Sequence, residues 1–117
     1  GVVVATPTGS TAYSLSAGGP IVEPTAKNFV ISPICAHTIH SNSYVLSADT
    51  NITVVPKDAG RKPVFLSVDG GRAFSLRGGD KVRIGNSKQE TVLIRLSDKS
   101  IFEILRTKMS GELYHEE

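Results

Sequence analysis

The apolar positions of this chain fall in short runs separated by Gly, Pro, Asp and Ser, the punctuation of a strand-rich domain. "GVVVA", residues 1–5, is a continuous apolar run that suits a buried strand. Beyond residue 20, "FVISPIC", "SYVLS", "NITVVP", "PVFLSVDG", "RAFSL", "KVRIG", "TVLIRL" and "IFEIL" all read as strands. One stretch breaks the pattern. In "TPTGSTAYSLSAGGP", residues 6–20, Pro7 and Gly9 force a turn, and Ser10 offers an N-cap for a short helix across residues 11–17. Gly18, Gly19 and Pro20 then stop that helix.

Two turns are legible further on. "DGG" at 69–71 lies between extended apolar runs, so "FLSVDGGRAFSL" predicts a tight hairpin, and "RGGDKVRI" predicts a second turn. The tail "KMSGELYHEE" is polar and reads as a fraying end or a lead into further chain. The expected fold is mainly β, an antiparallel sandwich or distorted barrel with one short N-terminal helix, forming one domain over residues 1–117.

Composition narrows the classes. A chain of 117 residues buries roughly two-thirds of its unfolded surface, enough for a core without staples. The single cysteine, Cys35, excludes an internal disulfide and points to a reducing compartment, hence to the cytoplasm. Asn51-Ile52-Thr53 has the form of a glycosylation sequon, but no secretory signal accompanies it. No apolar run approaches the roughly 20 residues of a membrane helix, so no membrane partner is expected. The net charge of +2 comes from scattered basic residues rather than a stripe, which argues against nucleic acid. The chain opens at Gly1 inside a strand-like run, as a piece of a longer protein would.

The 6–20 stretch holds six Ser and Thr hydroxyls: Thr6, Thr8, Ser10, Thr11, Ser14 and Ser16. The plain reading is a strand–turn–helix connection whose hydroxyls satisfy backbone groups. The functional reading is a small-molecule cradle. Glycines admit close backbone approach, hydroxyls both donate and accept, and a helix start leaves N–H groups free. On the predicted helix Tyr13 and Ser16 lie three apart, and Ala12 and Ser16 four apart, so one face carries them. Such hydroxyls suit a purine or amide edge better than bare phosphate, and no Lys of a phosphate-binding loop is present.

Other candidates read more simply. Cys35, His37 and His40 in "CAHTIH" match no familiar zinc spacing, and no metal site is expected from them. Asp69 in "SVDGG" and Asp80 in "GGDKV" are what tight turns ask for, with the rim of a site as the alternative for Asp69. No catalytic triad and no carboxylate pair with an acid–base division emerges.

Taken together, "VVVATPTGSTAYSLSAGGPIV", "SPICAHT" and "SVDGG" resemble the C-terminal domain of the NAD kinase family. The resemblance runs from Gly1 to about Leu105, although the family often has Pro where this chain has Ala36. It implies transfer of a phosphoryl group from ATP, or from polyphosphate in some members, to the 2′-hydroxyl of the NAD adenosine ribose. It implies magnesium or another divalent cation accompanying ATP, and a homodimer or homotetramer. Carried over by position, Thr8 and Thr11 would reach the adenine edge, Ala12 and Tyr13 would pack along the dinucleotide, and Ser16 would stand at the pocket wall. Backbone near Cys35 would reach a nicotinamide, in this or a neighbouring subunit, and Asp69 would lie at the phosphate-side rim.

The departures are as informative. These 117 residues contain no GGDG motif and no Asn-Glu pair, which the family carries in a preceding α/β domain, nor the Asp that precedes "GVVVATPTG" in that family. No catalytic residue is therefore expected here, and the isolated piece should be inactive. Two alternatives stay open at this level. One is a lipid kinase of the diacylglycerol or sphingosine type, which shares a two-domain plan. The other is a non-catalytic domain for nucleotide sensing or assembly.

Overall fold

The computed structural model describes residues 1–37 and 41–114. The chain divides into two compact units. One comprises residues 1–48 with the chain from Ser87 onward; the other spans Asp49–Asn86.

The first unit is built on a three-stranded antiparallel sheet in the order β1 (Val2–Ala5), β2 (Asn28–Pro33), β3 (Tyr44–Ser47). Central β2 pairs on both sides, so Val30 faces Ala5 on one neighbour and Val45 on the other. Val30 is 0% exposed, and Phe29 and Ala5 are buried with it. Burying one such valine contributes about 1.5–3 kcal/mol, so β2 anchors the sheet. Its other fully buried residue, Ser32, shares the face of Val30, since residues two apart on a strand point the same way.

Between β1 and β2 runs a 3-10 turn, Thr8–Thr11, followed by helix α1, Tyr13–Ser16, which packs against both strands. The helix is shorter than the expected 11–17, and Ser10 is not its cap. Ala12 holds the N-cap position and gives no side-chain bond, while Ser10 lies inside the preceding turn. The expected stop is where the glycines place it. Gly19 N–H donates to Ser14 C=O at 2.9 Å and Gly18 N–H to Leu15 C=O at 2.9 Å, with Gly18 at φ 88°. That paired pattern around a left-handed residue is the Schellman ending.

The second unit holds two antiparallel ladders: β4 (Ile52–Val54) with β7 (Val82–Ile84), and β5 (Val64–Leu66) with β6 (Phe74–Leu76). The predicted hairpin joins β5 to β6. Asp69 and Gly70 both take positive φ, 50° and 68°, and Gly71 N–H donates to Val68 C=O at 2.9 Å. Two positive φ values at the turn centre give the twist that adjacent strands need. The "RGGD" turn is closed by Asp80 N–H to Arg77 C=O at 3.1 Å and by Arg77 N–H to the Asp80 carboxylate at 2.7 Å, with Gly79 at φ 87°.

All eight apolar runs after residue 20 were expected to form strands; six of them do, and the last two differ. "TVLIRL" pairs with no strand among the described residues, and Leu96 is 95% exposed. "IFEIL" opens helix α2, Ile101–Tyr114, instead of a strand. Its start is a reciprocal capping box. Glu103 N–H donates to Ser100 Oγ and Ser100 N–H to Glu103 Oε2, each at 3.2 Å. The tail expected to fray continues this helix through Tyr114.

Val30→Ala should lower unfolding stability by about 2 kcal/mol, by loss of buried contact and a residual void. Gly70→Ala should destabilise by about 1–2 kcal/mol through its left-handed backbone alone, because nothing lies within 4 Å of an added Cβ. Urea denaturation checks both; a neutral Gly70→Ala would contradict the turn geometry.

Candidate functional site

The six hydroxyls of the 6–20 stretch divide by direction. Ser10 and Ser14 are buried, Thr11 is half-buried, and Thr6, Thr8 and Ser16 face solvent.

Ser10 ties the segment together. Its hydroxyl donates to Pro7 C=O at 2.6 Å and accepts from Val22 N–H at 3.0 Å. The second bond reaches across α1 and the glycine pair, so it fixes where the chain leaves the helix. Ser14 differs: its buried Oγ has no hydrogen-bond partner.

The outward hydroxyls are held loosely. Thr8 Oγ1 lies 3.4 Å from Thr6 Oγ1, and Thr11 Oγ1 donates to Thr8 C=O at 3.4 Å. Both distances exceed the usual hydroxyl range, so these groups keep bonding capacity for a ligand. Tyr13 is 61% exposed, and Ala12 and Ser16 are exposed beside it. Ala12, Tyr13 and Ser16 are thus the open side of a one-turn helix whose other side, at Ser14, is closed.

Next to this face lies a recess of about 500 Å³, lined at one end by Ala17, Gly18 and Pro20 and at the other by Pro33, Cys35 and Ser43. Cys35 is exposed, with φ 49°, just after β2. The fold therefore brings the end of α1 and the Cys35 region to one concavity, although they are far apart in sequence. Asp69 belongs to the second unit and sits exposed in the β5–β6 turn described above. Of the "CAHTIH" candidates, His37 is exposed and His40 lies outside the described residues. Among the described residues no group of three or more His, Cys, Asp or Glu could hold a metal ion.

A family model described as the ATP-NAD kinase C-terminal domain matches residues 1–96. The chain belongs to that family. It is 44% identical over 117 residues to the NAD kinase of Carboxydothermus hydrogenoformans, covering 99% of this chain and 41% of that one. It is 48% identical over 112 residues to the NAD kinase of Symbiobacterium thermophilum, covering 95% and 39%. The chain thus spans well under half the length of these relatives. Among solved structures it is similar to yeast NADH kinase complexed with NADH, at a TM-score of 0.68 and 40% identity over 74% of this chain and 24% of that one. It is also similar to an NAD kinase from Archaeoglobus fulgidus in complex with ATP, at a TM-score of 0.65 and 32% identity over 74% and 32%. The family is the NAD kinase one rather than the lipid-kinase alternative, and the expected mainly antiparallel β architecture is that of its C-terminal domain. No described helix is long and apolar enough to cross a membrane.

The residues that sequence reasoning passed over are the inward ones. Ser10 was read as a cap, Ser14 as one hydroxyl among six, and Ser32 only as strand. Only burial separates them from their neighbours, and burial is set by tertiary packing, the Ser10 turn against β1 and α1 against β1 and β2.

Ser10→Ala should destabilise by about 1–3 kcal/mol, since it leaves the Val22 N–H without its acceptor. Ser14→Ala should be neutral or stabilising, because it removes a buried hydroxyl that has no bond to lose. Thermal or urea melts of the two variants check the contrast.

Proposed function

We propose that this chain is the NAD-binding C-terminal part of a two-domain enzyme that transfers a phosphoryl group from ATP, or polyphosphate, to the 2′-hydroxyl of the NAD adenosine ribose, giving NADP. The observation that carries the reading is the outward set Thr8, Thr11, Ala12, Tyr13 and Ser16, presented by a rigidly anchored turn in a chain of this family. The yeast neighbour's NADH and the archaeal neighbour's ATP support the same ligand classes here.

In this reading the hydroxyls of Thr8 and Thr11 meet the adenine edge, exchanging long internal contacts for ligand bonds. Ala12 and the Tyr13 ring cover the dinucleotide, and Ser16 bonds at the pocket wall. Backbone near Cys35 meets a nicotinamide, within a subunit or across the contact of a homodimer or homotetramer. The set Thr8, Thr11, Ala12, Tyr13 and Ser16 contains no carboxylate and no basic group, so it binds and orients rather than activates the ribose hydroxyl. The divalent cation that ATP brings would neutralise phosphate charge; the described residues do not fit it, and no residue of this chain is assigned to it. The activating groups belong to the GGDG and Asn-Glu motifs, which these 117 residues lack. The setting is cytoplasmic, in keeping with the lone, exposed Cys35.

The full-length protein containing this chain, given ATP, magnesium and NAD, should form NADP, while the isolated 117 residues should form none. Phosphorylation of diacylglycerol with NAD untouched would overturn the reading. In the full-length protein Ser16→Ala should raise the KM for NAD by up to about tenfold, the worth of one hydrogen bond. Tyr13→Ala should raise it further by removing an aromatic contact, and both should leave the KM for ATP unchanged. A loss of melting temperature with no change in either constant would instead make both residues structural only.

A further inference from the structure

Three oxygen atoms crowd the bare Cα of Gly19. A Cβ built there would lie 2.6 Å from Ser32 Oγ, 2.7 Å from Ser14 Oγ and 2.8 Å from the Ser14 carbonyl oxygen. Ordinary close carbon–oxygen approaches are about 3.3–3.6 Å, so each of the three contacts would force something to move. None can move freely. Ser14 and Ser32 are fully buried, and the Ser14 carbonyl already accepts the Gly19 N–H in the Schellman ending. The neighbouring glycine is required for the opposite reason: Gly18 has φ 88° and open space where its Cβ would be. Gly18 is glycine for its backbone, Gly19 for its lack of volume.

The crowding leads to the recess. Ser32 Oγ lies 2.8 Å from Ser43 Oγ, and Ser43, Gly18 and Pro20 all line the concavity. A Schellman ending often carries an apolar contact between its third-last helical residue and the residue after the left-handed one. Here those two are Ser14, whose hydroxyl has no partner, and Gly19. The contact is a close seating against β2, fixed by shape rather than by a bond.

We propose that Gly19, seated on the Ser32–Ser43 pair, is a positioning residue for the dinucleotide pocket. Its missing side chain lets the end of α1 close onto β2, and that closure sets how far Tyr13 and Ser16 reach outward. The inference rests on the NAD-binding reading of Tyr13 and Ser16. Gly19 is itself buried and acts through them.

The test compares the full-length wild type with Gly19→Ala, Ser14→Ala and Ile52→Val, a core trim in β4 that controls for stability alone. For each, the melting temperature, kcat and the KM values for NAD and ATP are measured. Gly19→Ala is expected to raise the KM for NAD about fivefold or more while kcat and the KM for ATP stay within about twofold. Ile52→Val is expected to lower the melting temperature and move none of the three constants. Ser14→Ala is expected to leave the KM for NAD alone, because the hydroxyl only occupies space. Should Gly19→Ala fail to fold, Ser43→Ala, which cuts the hydroxyl pair from the recess side, is expected to raise the KM for NAD about threefold, with Ser43→Thr restoring it. A folded Gly19→Ala with a normal KM for NAD, or with all three constants shifted alike, would overturn the proposal. So would a Ser14→Ala that weakens NAD, since the hydroxyl would then bind directly, or a folding failure followed by a silent Ser43→Ala. A wild type that makes no NADP sinks the functional reading and this inference with it; an active wild type beside an unaffected Gly19→Ala sinks the inference alone.

Discussion

A four-residue helix cannot hold itself together in water, where nucleation is unfavourable and helices below about 12 residues are marginal. Helix α1 exists because both of its flanks are fastened elsewhere. At the front, the Ser10 hydroxyl holds Pro7 C=O and Val22 N–H at once. At the back, Gly18 and Gly19 close the Schellman ending over Ser14 and Leu15. The turn that holds Ser10 packs on β1, and α1 packs on β1 and β2; Val30 and Ser32 are the most deeply buried residues of that central strand β2. The outward face of α1 is therefore positioned by its fastened flanks and by the sheet it packs on, rather than by the helix itself.

This arrangement accounts for the density of Ser and Thr in residues 6–20. Two hydroxyls face inward and are structural, and the others face outward with weak internal bonds or none. The structural reading of the stretch thus describes Ser10, while the ligand-binding proposal rests on the outward residues. A sequence alone lists six equivalent Ser and Thr hydroxyls, because burial at Ser10 and Ser14 depends on packing against the sheet. The candidate set Thr8, Thr11, Ala12, Tyr13 and Ser16 came from the resemblance, whereas the inward roles of Ser10, Ser14 and Ser32 required the packing.

The fold was legible wherever local chemistry decides it. The Asp69-Gly70 turn needs two positive φ values, which Asp and Gly tolerate, and the strands on either side follow from it. Legibility fails after residue 90. "IFEIL" is a short apolar run, and periodicity cannot tell a short strand from a helix face. Ile101, Ile104 and Leu105, at helical spacing, are the half-buried side of α2. The deciding signal was Ser100 with Glu103, a capping pair three residues apart that lies just outside and inside the run. "TVLIRL" has strand composition, but a strand is defined by a paired neighbour, which composition does not supply.

The neutrality of the outward set has a further consequence. Phosphoryl transfer depends on positioning and on neutralising charge at the transferred group. Thr8, Thr11, Ala12, Tyr13 and Ser16 can supply the first and none of the second. A surface of this kind grips a base, a ribose or an amide by shape and by single hydrogen bonds, each worth about 0.5–1.5 kcal/mol. In the proposed role its contribution is to hold the dinucleotide, so a disturbed support is felt as weaker NAD binding rather than as a slower chemical step. On that proposal the buried supports, the Ser10 staple and the Gly19 seat, act on NAD binding through the residues they hold in place.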